Sequence, residues 1–475
     1  MLARAAHLVR YGAAPLSTAP GRDDLKRLGG NHSLSNRADH TKRMSYNRVV
    51  IDTAQRNRHK TRMNTPSSAP GHVAVYCPDL GGGVAHIALA QIDILQAAGH
   101  TVDLLLHRDV GEYRAQVPAD VRILTLESAD SESIGQYMRR ALSGHPMMRI
   151  RARYISPNRL TDLEFLPALV DYLETRQPVL LLANVWNTVL VAACACAAVQ
   201  RSPRLIGLFH GTFFAEAAQR RSARKHPWRW RHFYAFCRHF YSQADALASV
   251  SDGVGQDLVR IVGVAHPQVE TLSNPVVSPR LAARAAEPVT HAWLQSDAPP
   301  LIVAVGRLSP EKNHALLLHA FARLRASRPD VRLAILGEGS ERTHLESLRD
   351  ELGLTECVLM PGWVDNPHAW MARATMVALS SNWEGLGNVL IEALACGVPV
   401  VATDCPHGPR EVLDHGRYGR LVPVNDVDAF ASAIEQTLDA DRNSDLLIAR
   451  AQHYSVAAAT QRYRALVQRV LAGSL

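Results

Sequence analysis

The sequence predicts an α/β protein built from two doubly wound domains, each with a parallel sheet buried on both faces. Three observations carry this. Apolar strand-like runs alternate with helical stretches along the chain from His72 onwards. The runs are continuous rather than alternating, the pattern of strands covered on both sides. And the alternation occurs twice, in two sets of similar size, within a chain of 475 residues that is 47% hydrophobic and can fill two large cores.

The first set opens with VAVYCP, which ends at the Gly81–Gly83 triplet. A helix over 85–98 and the strand TVDLLLH follow. PVLLLA, RLIGLF and ALASV continue the series. The apolar stretch 179–199 is long enough to raise a membrane span, but Asn184, Asn187 and Thr188 sit at its middle. A buried strand over 179–183, a turn and a helix from Asn187 explain it better. No transmembrane helix is expected. The second set runs LIVAVG, VRLAILG, CVLMPG, TMVALS and VPVVAT, with helices over 315–327 and 388–396. The join is placed near Ser273-Asn274-Pro275-Val276. This gives an N-terminal domain over 71–273, a C-terminal domain over 274–454 and a final amphipathic helix over 455–475 that crosses back.

Residues 1–70 hold 13 basic and 4 acidic side chains, leaving 39 basic and 40 acidic for the rest, so the net charge of +8 belongs to this extension. A general nucleic-acid binder is therefore not expected. Residues 1–20 have the composition of a transit peptide, Arg4 and Arg10 without acids, but the whole extension reads as disordered polar chain. The seven cysteines form no C-x-x-C pair, and Cys194 and Cys196 suit neither zinc nor redox chemistry, so reduced thiols in a cytoplasmic protein are expected.

Two motifs carry chemistry. GRLSPEKN, Gly306–Asn313, joins a strand to a helix at the edge where parallel sheets bind ligands. Arg307 and Lys312 in that loop suit a diphosphate, since each phosphate needs its charge neutralised. Downstream, SNWEGLGNVLIEALACGVPVVATDCPHGPREVL places Glu384 in a Gly-rich loop, starts a helix at Asn388 and sets Glu392 one turn into it. Amides at a helix start make an anion site, and the carboxylates suit sugar and ribose hydroxyls. Taken singly, each residue also has an ordinary reading: a solvated loop cation, or an acid favoured by the helix dipole.

The set, with PDLGGGVAHIALAQIDILQAAGHTVDLLL, HGT, SDGVGQDL, SNPV, LGEG and YGRLVPVNDVDAFASAI in order, resembles the nucleotide-sugar glycosyltransferases of retaining family 4 from about His72 to Tyr463. The resemblance implies the GT-B fold: two Rossmann-like domains facing a central cleft. Gly82 and Gly83 are then similar to the N-terminal loop that approaches the donor, where a side chain would block the backbone. His210 matches the histidine near the transferred sugar. Arg307 and Lys312 match the pair on the donor diphosphate, and Glu384 the acid on the sugar. Leu386, Gly387 and Asn388 match backbone amides at the sugar and phosphates, and Glu392 the ribose acid. The implied activity is metal-independent, retaining transfer from a nucleoside-diphosphate sugar to a glycan or lipid-linked acceptor in polysaccharide or glycolipid synthesis. UDP-sugars, in particular UDP-N-acetylhexosamine, are favoured by the CPHGPREVL region. No cofactor and no metal are expected, and Asp426-Val427-Asp428 reads as a helix cap rather than a metal motif. Trp383 and Leu386 depart from the family pattern, where Leu386 often has Phe.

Rival readings are a nucleotide-sugar epimerase or phosphorylase on the same fold, a non-catalytic carbohydrate- or membrane-binding protein, and an NAD(P) oxidoreductase. The last is disfavoured because His86 replaces the third glycine of its motif. A final feature concerns the acceptor. Arg220, Arg221, Arg224, Lys225, Arg229 and Arg231 interleave with Trp228 and Trp230, and no acid lies between Ala217 and Ala244. That mixture suits an anionic membrane surface beside a lipid-diphosphate acceptor, placing the protein peripherally on the inner face of the cytoplasmic membrane. Phe233, Phe236 and Phe240 at helical spacing instead suit packing against the domain.

Overall fold

The computed structural model describes residues 71–152, 162–211, 227–265, 269–295 and 298–473. The basic extension 1–70 and the run Arg220, Arg221, Arg224 and Lys225 lie outside the described residues.

Two parallel sheets form, each with the strand order of a doubly wound domain. The first has seven strands: β1 (His72–Cys77), β2 (Thr101–Leu106), β3 (Arg122–Thr125), β4 (Leu180–Asn184), β5 (Arg204–Phe209), β6 (Ala246–Ser249) and β7 (Val269–Thr271), in the order β3-β2-β1-β4-β5-β6-β7. The second has β8 (Leu301–Val305), β9 (Arg332–Leu336), β10 (Val358–Gly362), β11 (Met376–Leu379), β12 (Val400–Thr403) and β13 (Arg420–Val422), in the order β10-β9-β8-β11-β12-β13. Each apolar run singled out in the sequence became a strand. The strands missed there, β3, β7 and β13, are sheet edges of three or four residues without an apolar run.

The 179–199 stretch divides into β4 and a helix over Trp186–Ala198, and no helix among the described residues is long and apolar enough to cross a membrane. The first helix spans Gly82–Gln96, three residues earlier than the sequence suggested. Gly81 is its extended N-cap, so Gly82 and Gly83 form the first helical turn rather than a free loop.

Between Ser273 and Val277 the chain leaves the first sheet for the second, and near Tyr454–Val456 it returns. The two crossings run side by side: Val276 and Val277 N–H donate to the Tyr454 carbonyl at 2.9 and 3.0 Å, and Val456 N–H to Val277 at 2.9 Å. The returning helix, Val456–Ala472, buries Ala459, Tyr463, Leu466, Val467 and Val470 in the apolar cluster of β1, β2 and the Gly82–Gln96 helix. At its C-terminal end Arg469 pairs with Glu270 at 2.6 Å. All seven cysteines are free thiols.

Candidate active site

The C-terminal ends of both sheets' central strands face one another, and the residues singled out in the sequence gather there. On the C-terminal domain, β8 delivers Arg307 and Lys312. Ser309 and Asn313 shape that loop: Lys312 N–H donates to the Ser309 carbonyl at 3.0 Å, and Asn313 caps the His314–Leu324 helix by accepting from Leu316 N–H. Lys312 Nζ lies 2.5 Å from Glu384 Oε1, with the two side chains 22% and 10% exposed. Ser381 Oγ donates to the same carboxylate oxygen at 2.6 Å. Arg307 stays 69% exposed, with Glu311 Oε1 3.6 Å away.

β11 leads into the glycine-rich loop. Gly387, at φ +83°, is the N-cap of the Asn388–Ala395 helix, a left-handed position that glycine takes without strain. Leu386 is 3% exposed, so its side chain belongs to the core and only its backbone can face a ligand. Asn388 Oδ1 accepts from Asn274 Nδ2 at 2.9 Å, and Glu392 Oε2 lies 3.6 Å from His368 Nε2.

The N-terminal domain closes on this surface. A Cβ on Gly83 would stand 3.7 Å from Asn388 Nδ2, and one on Gly82 3.9 Å from Arg307 Nη2. Gly82 N–H donates to Glu112 Oε1 at 2.7 Å. Gly385 passes so close to His210 that an added Cβ would meet the His210 carbonyl oxygen at 2.1 Å. Ser251 Oγ, which caps the Asp252–Asp257 helix, also donates to the Gly385 carbonyl at 2.6 Å. Further along, Asp252 N–H donates to Glu411 Oε2 at 2.9 Å and His407 Nε2 lies 3.0 Å from Asp257 Oδ2.

These contacts shift several titrations. Burial pushes the His210 imidazole down to about 4. Burial, reinforced by the charge of Asp252, lifts the Glu411 carboxyl to about 7. Burial also raises the Cys405 thiol to about 12, with the Glu384 charge adding to it. His86 is lowered by burial, against an upward pull from Glu392. Its ring sits 5.7 Å from that of Tyr113, and the Glu392 charge acts on both groups of this N-terminal pair.

Sequence reasoning singled out none of Ser251, Tyr113, His368, His407 or Glu411 for the site. Each is an ordinary loop or helix residue until the two domains meet. His86 was noticed only as a missing glycine. Asp426 accepts from Ala429 N–H at 2.9 Å as the cap of the Val427–Leu438 helix, and Asp428 pairs with Arg323 at 2.7 Å. Among the described residues, no three His, Cys, Asp or Glu side chains converge as a metal site.

In the basic aromatic segment, Trp228 is 49% exposed, whereas Trp230 is 9% exposed and packs edge-to-face against Phe233 and tilted against Tyr234, with centroids 5.6 and 5.7 Å away. Trp230 is therefore part of the domain's interior and is not presented to a membrane. Phe233, Phe236 and Phe240 are buried in the same core.

Residues 81–280 match the family described as Glycosyltransferase Family 4, and residues 290–454 match Glycosyl transferases group 1. The chain belongs to the family 4 glycosyltransferases. Among curated relatives of the family, an N-acetylgalactosamine-N,N'-diacetylbacillosaminyl-diphospho-undecaprenol 4-alpha-N-acetylgalactosaminyltransferase of Campylobacter jejuni is 37% identical over 202 residues, covering 42% of this chain and 53% of the relative. A GDP-mannose-dependent alpha-(1-6)-phosphatidylinositol monomannoside mannosyltransferase of Mycolicibacterium smegmatis is 34% identical, covering 33% and 43%. The chain thus matches these two relatives over about half of their length or less. Among solved structures, Anabaena HepE in complex with UDP and glucose superimposes with a TM-score of 0.62 at 19% identity, covering 83% of this chain and 98% of that one. Sucrose-phosphate synthase from Thermosynechococcus elongatus gives 0.65 at 22% identity, covering 85% and 99%. The architecture of this family 4 member is GT-B.

Proposed function

We propose that the protein transfers a sugar, with retention at the anomeric carbon, from a UDP-sugar to a lipid-linked or glycan acceptor, and that UDP-N-acetylhexosamine is its donor. The observation that carries this is the convergence of Arg307, Lys312 and Glu384 on one domain against His210 on the other. Arg307 and Lys312 stabilise the departing diphosphate as the sugar–phosphate bond breaks, when its charge is greatest. Glu384 holds the sugar hydroxyls, Glu392 the ribose, and the amides of Leu386, Gly387 and Asn388 the phosphates and sugar. His210, kept neutral by burial, faces the sugar without adding a positive charge to an oxocarbenium-like centre. The chemistry requires no metal and no cofactor.

In the structure Lys312 is engaged by Glu384 and the Gly82 amide by Glu112. Donor binding therefore exchanges internal partners for phosphate oxygens. The N-acetylgalactosaminyl transfer named for the Campylobacter relative supports an N-acetylhexosamine donor, and HepE binds UDP; the GDP-mannose-dependent Mycolicibacterium relative makes GDP the alternative to test. The diphospho-undecaprenol-linked acceptor of the Campylobacter relative supports a lipid-diphosphate acceptor here. Exposed Trp228, and exposed Met147 and Ile150 on the Pro146–Ala152 helix that packs on the Pro227–Tyr241 helix, support the same reading. Together with Arg149, Arg229 and Arg231 these suit the inner face of the cytoplasmic membrane. Thermal shift against UDP, GDP and ADP is the test: a nucleotide at about 100 times its Kd stabilises by about 2.7 kcal/mol, so UDP alone raises the melting temperature. A shift with GDP and none with UDP overturns the donor assignment.

A further inference from the structure

A chain of buried amides ends on His210. Asn184 closes β4, next to the end of β5 from which His210 projects, and His210 Nε2 lies 2.9 Å from Asn184 Oδ1. Asn184 and Gln91 are 0% and 1% exposed and pair reciprocally, each amide nitrogen 2.9 Å from the other's oxygen. Gln91 Nε2 also reaches Tyr463 Oη at 3.5 Å, on the helix that returns from the C-terminal domain. Buried amides this deep are costly unless paired, so the network holds one arrangement.

A reciprocal amide pair could be turned over as a unit without losing its hydrogen bonds. The Tyr76 carbonyl breaks that symmetry. It lies 3.5 Å from Asn184 Nδ2, and the reversed pair would set two carbonyl oxygens against each other. The backbone is fixed as well. Thr188 Oγ1 donates to the Asn184 carbonyl, and the next residue, Val185, is held at φ +76° by its N–H bond to the Leu208 carbonyl at 2.8 Å. A β-branched residue in that region is strained, and such strain persists where the surroundings over-determine it.

We propose that Asn184 is a positioning residue that fixes His210 as the Nε2–H tautomer and leaves Nδ1 as the ring's hydrogen-bond acceptor. Gln91, anchored by Tyr463, holds Asn184 in the orientation that does so. Asn184 Oδ1 can only accept, so the ring nitrogen facing it must carry the proton. Burial alone lowers the imidazole's affinity for a second proton, so Nδ1 keeps its lone pair at neutral pH. The ring then accepts a hydroxyl hydrogen from the sugar or acceptor and does not donate a proton to it. The C-terminal crossing helix thereby reaches the site through Tyr463 and Gln91.

This rests on the reading of His210 as a sugar-site residue, but its test does not depend on turnover. Full-length protein labelled with 13C and 15N histidine, with His210 assigned by comparison with His210→Gln, reports the tautomer from its ring shifts. The expected wild-type form is Nε2–H from pH 8 to pH 5. Asn184→Asp replaces the amide by a carboxylate, and His210 should then titrate about one pH unit or more higher. Gln91→Met, of similar volume, should give a mixture of tautomers and lower kcat about tenfold, the scale of one hydrogen bond, with UDP affinity unchanged. An Nδ1–H imidazole in the wild type overturns the proposal even if no variant folds. So does a His210 spectrum that is the same in wild type, Asn184→Asp and Gln91→Met. Loss of the tautomer with normal turnover would leave the proposal standing and remove His210 from the sugar site.

Discussion

Replacing Lys312 with alanine should separate stability from catalysis at one residue. In the free protein its ammonium sits 2.5 Å from Glu384 Oε1, a carboxylate whose side chain is 10% exposed. Removing it leaves Glu384 with Ser381 as its remaining side-chain donor. A hydrogen bond to a charged group contributes about 1.5–3 kcal/mol, and the surviving Ser381 bond keeps the loss near the lower end. At about 2–4 °C per kcal/mol for large domains, the melting temperature should fall by a few degrees. Turnover should fall far more, by about a hundredfold or more, because about 2.7 kcal/mol of charge stabilisation is lost from the leaving diphosphate. The double variant Lys312→Ala/Glu384→Gln removes the unpaired carboxylate, so stability should recover while turnover does not. Calorimetry and a coupled assay for released nucleotide diphosphate read both. Arg307→Ala, at a 69% exposed side chain, should match the loss in turnover without the fall in melting temperature. Wild-type turnover in folded Lys312→Ala, or recovery of turnover in the double variant, refutes the leaving-group role.

Three further outcomes are expected. Glu392→Gln should weaken nucleoside diphosphate binding by about 1.5–3 kcal/mol in isothermal titration, with less effect on kcat, since the contact proposed for it is with ribose. Gly385→Ala should cut kcat sharply, because the added methyl meets the His210 carbonyl at 2.1 Å and forces the domains apart; small-angle scattering should show the opening. Finally, burial holds His107, His210, His239 and His314 at about 4, below the ordinary histidine value of 6.5. The unfolded chain takes up protons between pH 6.5 and 4 that the native state refuses, so their contribution to stability is present above that window and lost as pH falls through it. Urea midpoints should be lower at pH 5 than at pH 7. Glu411, raised to about 7, acts in the opposite sense, losing its contribution as pH rises, so Glu411→Gln should deepen the acid loss.

The doubly wound architecture was legible because parallel strands buried on both faces must be continuous apolar runs: LIVAV and RLIGLF could hardly be anything else. Edge strands such as Arg122–Thr125 carry no such run and escaped. The position of Arg307 and Lys312 in a strand-to-helix turn was legible, because the turn directly follows the continuous apolar run LIVAV. What could not be read was anything created by two segments meeting. Gly385 is an unremarked glycine until His210 packs on it, and Asn184 was noticed only as a polar interruption of an apolar stretch. Trp230 shows the converse. Composition placed it in a membrane-facing set with Trp228, but the helix turns it inward onto Phe233 while Trp228 stays outside. Helical phase distinguishes the two, and composition does not register phase.

The central claim is group transfer from a UDP-sugar, and acceptor-dependent release of UDP tests it most directly. The full chain is incubated with UDP-N-acetylhexosamine, with and without a polyprenyl-diphosphate-linked saccharide, and nucleotide and glycolipid are followed together. The account predicts UDP release only when the acceptor is present, in step with a glycolipid one sugar longer whose new linkage keeps the donor's anomeric configuration. Conversion of the nucleotide sugar to an isomer, with no UDP released and no glycolipid formed, would contradict it.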